Sequence, residues 1–142
     1  MNSDPAEIAD VRRAVENLAQ SFGLDEKAVA EVGLCVNEAL ANVMRHAYGG
    51  ATDRPIVVSG YCQDASLVVT IRDWGNGVNP ATLPPKPFNP LEPGGLGLIC
   101  LRRMMSQVSY VPQPQDGGGG MLLVMKKENP KLRRGSDFGA RP

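Results

Sequence analysis

The sequence holds a single histidine, His46, so no site built from several imidazoles can form. Its three cysteines, Cys35, Cys62 and Cys100, are odd in number and contain no Cys-x-x-Cys pair, which excludes a zinc knuckle or a redox dithiol and predicts free, buried thiols in a reducing cytosol. An excess of one charge is also missing. Fifteen lysines and arginines balance 15 aspartates and glutamates, so nothing draws the chain to nucleic acid or to an acidic membrane surface. No apolar run approaches the roughly 20 residues of a membrane helix, and Met1-Asn2-Ser3-Asp4 does not open a signal peptide. The expectation is a cytoplasmic protein with no membrane and no direct nucleic-acid partner. At 142 residues and 42% hydrophobic, the chain can bury one core but not a second of ordinary size.

What is present reads as alternating helix and strand signals. Asp4-Pro5-Ala6-Glu7 has the order of a helix start: an N-cap acid, proline at the first helical position and a glutamate returning to the cap. Ile8, Val11, Val15 and Leu18 then recur at helical spacing up to Gly23. Asp25 opens a longer helix whose core stripe is Val29, Val32, Val36, Ala39, Val43 and Ala47, ending at Gly49-Gly50. From Pro55 the β-branched runs Ile56-Val57-Val58 and Leu67 to Ile71, split by the polar turn Gln63 to Ser66, predict an antiparallel hairpin. Six prolines between residues 78 and 95 predict a stiff extended loop, followed by an apolar helix with Leu98, Ile99, Leu101, Met104 and Met105. Two further strands, Val108 to Val111 and Met121 to Lys126, flank a turn at Gly117 to Gly120. With no repeating βα unit, the pattern predicts an α+β fold: a two-layer sandwich of one mostly antiparallel sheet with helices on one face. Residues 1–128 form that domain, and the polar, basic stretch 129–142 is expected to be a disordered tail.

Three constellations carry chemistry. Glu38, Asn42 and His46 are spaced four apart on one helix stripe that points largely away from the core. Such a stripe taken alone is more often a solvated face, yet a carboxylate beside an amide suits work on phosphate: Asn42 can offer a hard oxygen to Mg²⁺ while Glu38 accepts a proton. Asp73-Trp74-Gly75-Asn76-Gly77 follows a strand, where Asp73 can accept the hydrogen bond of an adenine amino group and the glycines let backbone pass close to a flat base. The same string also suits a plain tight turn, and Trp74 reads more readily as packing than as a base stack. Gly94-Gly95-Leu96-Gly97-Leu98 opens a helix, exposing backbone N–H groups and about half a positive charge to an anion. A dinucleotide-binding βαβ unit fails on context, since a prolyl loop rather than a strand comes first.

In this order the three constellations resemble the GHKL ATPase superfamily, named for gyrase, the Hsp-type chaperone, histidine kinases and MutL. The run from Glu38 to Tyr48, above all His46-Ala47-Tyr48, is similar to the N box of the anti-sigma-factor serine/threonine kinases, and the short prolyl segment before Gly94 resembles that branch too. The similarity covers roughly residues 5 to 127. It implies a Bergerat-type ATP site using ATP and Mg²⁺, with Glu38 as general base and Asn42 as the metal ligand. Asp73 would read adenine, Gly75 and Gly77 would shape its pocket, and Gly95, Leu96, Gly97 and Leu98 would hold phosphates. The implied partners are a STAS-domain anti-anti-sigma factor, phosphorylated on serine or threonine, and a sigma factor sequestered otherwise, with a homodimer as the assembly.

Three departures from the family pattern stand out. Relatives often begin with a strand, but the helix signal here starts at Asp4. Some carry an arginine where Pro93 stands, leaving Arg45 or Lys86 to supply the charge, and many place a threonine near Gly120. Two alternatives stay open beside the kinase: a non-catalytic ATP-dependent sigma-binding module, and a detached histidine-kinase ATPase domain, which the lack of a histidine-bearing dimerisation helix disfavours.

Overall fold

The structure, a computed structural model, describes residues 1–76 and 97–132, with backbone alone for 97–100. Asp4 caps the first helix as its sequence requires, its side chain accepting from Ala6 N at 3.0 Å, and a 3₁₀ turn at Pro5–Glu7 leads into α1 (Ile8–Ser21). Glu7 departs from the expected return to the cap: its carboxylate accepts instead from Asn2 N at 3.2 Å. Gly23, at φ +88°, takes the left-handed turn that ends α1, and Asp25 caps α2 (Glu26–Asn42) by accepting from Ala28 N at 2.8 Å. The two helices pack closely at Gly33, where a Cβ would stand 2.6 Å from Glu16 Oε2. At Asn42 the α-helix gives way to a π turn over Val43–Ala47, closed by Tyr48 N donating to Val43 O at 3.1 Å.

The four strands are β1 (Val57–Gln63), β2 (Ser66–Asp73), β3 (Gln107–Pro112) and β4 (Met121–Glu128), in the order β1-β2-β4-β3 and antiparallel throughout. Between β2 and β3 lies α3 (Gly97–Met104). The register sorts side chains by the two-residue period. One face carries the rows Val58-Ile71-Leu123-Tyr110 and Gly60-Val69-Met125-Val108, and Leu67, Val69, Ile71, Leu123 and Met125 from it are buried against Val15, Ala19, Val32, Val36, Ala39 and Leu40 of the helices. Each such Leu, Ile or Val contributes about 1.5–3 kcal/mol by leaving water. On the opposite face Val57, Tyr61 and Val111 are exposed and Val68 is buried, and none of the four belongs to the core under the helices. This is the expected two-layer α+β sandwich with its helices on one side.

Some expectations need correction. Residues 1–3 contribute a strand stub: Asn2 bridges Pro55 antiparallel, Ser3 N donates to Arg54 O at 2.8 Å, and Ser3 is buried. Thus the family's leading strand is reduced rather than lost. Cys35 is buried as expected, but Cys62 on the edge strand β1 is exposed. Asn129, assigned to the tail, is buried, with its Nδ2 donating to Phe22 O at 2.9 Å and its N–H to Ala65 O at 2.8 Å. The prolyl loop, Gly77, Gly94, Gly95, Leu96 and the segment 133–142 lie outside the described residues. Among the described residues no helix is long and apolar enough to cross a membrane.

Candidate functional site

The end of α2 supplies the first group of candidate residues. The stripe expected to face solvent turns inward at its start: Glu38 is buried at 7% exposure, Asn42 is half-buried and His46 is exposed. A helix stripe shows only the angle of a side chain on its own helix. Here α3 packs against α2, and Tyr110 of β3 lies near enough for Glu38 to affect its titration. Burial raises the Tyr110 phenol to about 12, with Arg102 opposing and the Glu38 charge adding to the shift. Among the described residues Glu38 Oε1 has no hydrogen-bond partner, although a buried polar atom of this kind normally has one. One turn on, Asn42 Oδ1 accepts from Arg45 Nη2 at 2.8 Å.

The end of β2 supplies the second group. Asp73 is 4% exposed and stands on the helix-side face. Burial raises its carboxyl above 3.8, an effect opposed by the N–H of Gly75, the charge of Arg72 and the N–H of Met121. Gly75 N donates to Asp73 Oδ1 at 3.0 Å. Gly75 also has a steric reason to be glycine, because a Cβ would press into the Ala47 carbonyl, 2.8 Å from its carbon.

That contact joins the two groups. The chain leaving the π turn packs its Ala47 backbone on Gly75, and Tyr48 follows with its hydroxyl accepting from Trp74 N at 2.8 Å and donating to Pro55 O at 2.6 Å. Burial lifts the Tyr48 phenol above 10.0, against the opposing Trp74 N–H, so the hydroxyl keeps the proton it donates. Tyr48 thus belongs to the site although no chemistry singled it out; its place in His46-Ala47-Tyr48 was the only signal. Arg72 had no signal at all. It stacks on Trp74, 4.5 Å from the ring centroid, so this ring face is already covered by a cation.

Of the third group, Gly97 is the first residue of α3, with Leu98 following, and α3 packs on α2; Gly95, Leu96 and Gly77 lie outside the described residues. Gly120, noted where relatives place a threonine, has φ +82°, and a Cβ there would run into the Asp73 carbonyl and stand 2.6 Å from Trp74 Cα. No side chain fits at that point of this fold. An apolar groove lined by Met1, Val11, Val15, Leu18, Val58 and Gly60 lies between α1 and β1, away from both carboxylates, and holds no titratable side chain.

Known proteins place this arrangement. The chain is 26% identical over 132 residues to the serine-protein kinase RsbW of Listeria innocua, a match spanning 87% of this chain and 80% of that protein. It is 26% identical over 113 residues to the anti-sigma F factor of Oceanobacillus iheyensis, 77% of each chain. The anti-sigma F factor of Halalkalibacterium halodurans matches at 26% over 93 residues, 63% of this chain and 64% of that protein. Among solved structures, the histidine kinase domain of the blue-light activated kinase from Erythrobacter litoralis EL346 superposes with a TM-score of 0.54 at 17% identity, over 92% of this chain and 61% of that one. That likeness concerns the fold. The histidine kinase-like ATPase domain family matches residues 1–127, and the chain therefore belongs to that family.

Proposed function

We propose that the chain is an ATP-dependent serine/threonine protein kinase that phosphorylates a STAS-domain anti-anti-sigma factor and otherwise holds a sigma factor. The observation that carries this reading is the buried, unpartnered Oε1 of Glu38, one helical turn from the amide of Asn42. An orphaned carboxylate oxygen in a protein interior costs about 1–3 kcal/mol unless a ligand completes it. A substrate hydroxyl is such a ligand. The relatives named as serine-protein kinase and anti-sigma factor support the same reading.

In this proposal Asp73 accepts from the adenine amino group, Gly75 and Gly77 keep its pocket open, and the backbone of Gly95, Leu96, Gly97 and Leu98 holds phosphate oxygens. Asn42 Oδ1 is the hard oxygen suited to Mg²⁺, and Arg45, now bonded to that oxygen, would turn toward phosphate when the oxygen is claimed. A magnesium ion in such a site would be held chiefly by phosphate oxygens and water, with Asn42 as its protein ligand. Such an ion neutralises charge on the phosphates. As the bond from the serine or threonine oxygen to the γ-phosphorus forms and the bond to the β-phosphate oxygen breaks, Glu38 takes the hydroxyl proton.

The test is incubation with Mg-ATP and a STAS protein encoded nearby, read as phosphoserine or phosphothreonine by mass spectrometry. Transfer by wild type and its loss in Glu38→Ala is the expected result; equal rates refute the base. A second reading draws on the Arg45–Asn42 bond, which occupies the oxygen meant for the metal: a module that binds a sigma factor in an ATP-dependent way without catalysis. Sigma binding with no transfer by wild type would select it. The homodimer comes with the family resemblance and the cytoplasmic location with the sequence composition, and sedimentation velocity tests the former.

A further inference from the structure

The β2–β4 ladder ends at the pair Asp73 and Met121, and after it the chain is irregular through Asn76. A carboxylate at such a point is only as well oriented as the peptide that carries it. Beside the Met121 N–H on the carboxylate, four features hold this peptide. Arg72 Nη1 donates to the Asp73 carbonyl, Tyr48 Oη accepts from Trp74 N, Gly75 N donates to Asp73 Oδ1, and Gly120 leaves room for the backbone to close up.

Arg72 does more than the other three. Its Nη2 reaches Gly117 O in the β3–β4 turn at 3.2 Å, and its guanidinium lies over the Trp74 ring. The indole is backed in turn by Gly118, at φ +92°, where a Cβ would stand 2.8 Å from Trp74 Cδ1. One planar fork therefore ties the end of β2, the indole and the β3–β4 turn together, a task for several fixed donors and a flat cation that lysine cannot perform. Strand alternation puts Arg72 on the face away from the helix-side core, with Val57 and Leu122, opposite the side Asp73 presents. A ligand read by Asp73 does not meet it.

We propose that the Arg72–Trp74 clamp on the back of the sheet fixes the orientation of Asp73 and so sets the affinity and base preference of the nucleotide site, making Arg72 a positioning residue. The inference rests on the reading of Asp73 as the adenine acceptor. Its basis is geometric, because a hydrogen bond weakens steeply as its acceptor leaves the line of the donor.

Trp74 is the only tryptophan in the chain, so intrinsic emission reports on the clamp directly. The full chain with Mg²⁺ is titrated calorimetrically with ATP and with GTP, as wild type, Arg72→Ala, Arg72→Lys and Gly118→Ala, and each variant's emission and melting curve is recorded. Arg72→Ala is expected to stay folded, shift Trp74 emission to the red, lose about tenfold or more in ATP affinity and lose much of the preference for ATP over GTP. Lysine restores the charge but not the affinity. Gly118→Ala, which crowds the indole and strains the turn that carries the Gly117 carbonyl, loosens the clamp from its other side, weakens ATP in the same direction and keeps the test open should Arg72→Ala fail to fold. Unchanged ATP affinity and base preference in a folded variant whose emission has shifted overturns the clamp alone. No uptake of ATP by wild type overturns the adenine reading, and the clamp's role with it.

Discussion

Two buried carboxylates, Glu38 and Asp73, sit where a charge is expensive, and they meet the cost differently. Asp73 is served by the N–H of Gly75 and of Met121 and by the charge of Arg72, whereas Glu38 keeps one oxygen without a partner. Glu38→Gln replaces a charge with a neutral amide, so we expect urea unfolding of the ligand-free protein to show a stability equal to or above wild type while phosphate transfer is lost. A marked loss of stability instead makes Glu38 a structural residue. For Asp73 the sign follows from linkage. Its folded carboxyl lies above 3.8, so between that value and the raised one the native state binds more protons than the unfolded chain, and the contribution to stability falls as pH rises through the window. Asp73→Asn removes this slope. Melting curves at about pH 4 and pH 7 should therefore show the variant gaining on wild type toward neutrality, while its adenine nucleotide affinity drops about tenfold or more, the worth of a hydrogen bond to a charged group. Parallel pH profiles for the two proteins contradict the assignment of the raised carboxyl.

At the scale of elements, the site depends on how the end of α2 meets the end of β2. The π turn at Val43–Ala47 delivers the Ala47 carbonyl to Gly75 and the Tyr48 hydroxyl to Trp74 N, which fixes a helix end to a strand end. Tyr48→Phe strands the Trp74 N–H and leaves Pro55 O without this donor, and should cost about 1–2 kcal/mol in urea unfolding. Gly75→Ala forces the two segments apart and should weaken nucleotide binding more than Tyr48→Phe does; the reverse ranking means that the hydroxyl, not the close approach, sets the junction. The elements themselves were legible because their signals are local: Asp4 and Asp25 cap helices, β-branched runs mark the first hairpin, the glycine-rich turn marks the second, and Gly97 opens α3. The junction was not, since it depends on what lies across from each residue. Glu38 looked solvent-facing until α3 and β3 were laid beside it, Gly120 looked like a family residue missing rather than a backbone that must pass Asp73, and nothing in the sequence singled out Arg72.

For the whole molecule, the candidate residues come from segments that are distant in sequence and belong to different layers. Glu38 and Asn42 lie in the helix layer, Asp73 at the end of a central strand, and Gly97 at the start of a helix that packs on α2. No half of the chain holds all of these residues, so under the proposed function a nucleotide bound there would recognise only the state in which sheet and helices are docked. Binding must then stabilise the fold as a whole. At a free concentration about 100 times the dissociation constant the gain is about 2.7 kcal/mol, which for a domain of this size raises the melting temperature by roughly 5–15 °C. Mg-ATP should produce that shift in wild type, GTP a smaller one, and Asp73→Asn about half of the wild-type shift with Mg-ATP for a tenfold loss of affinity, and less for a larger loss. A wild-type melting curve indifferent to saturating Mg-ATP contradicts nucleotide recognition between the two layers, because a ligand gripped by both cannot leave their docking energy unchanged.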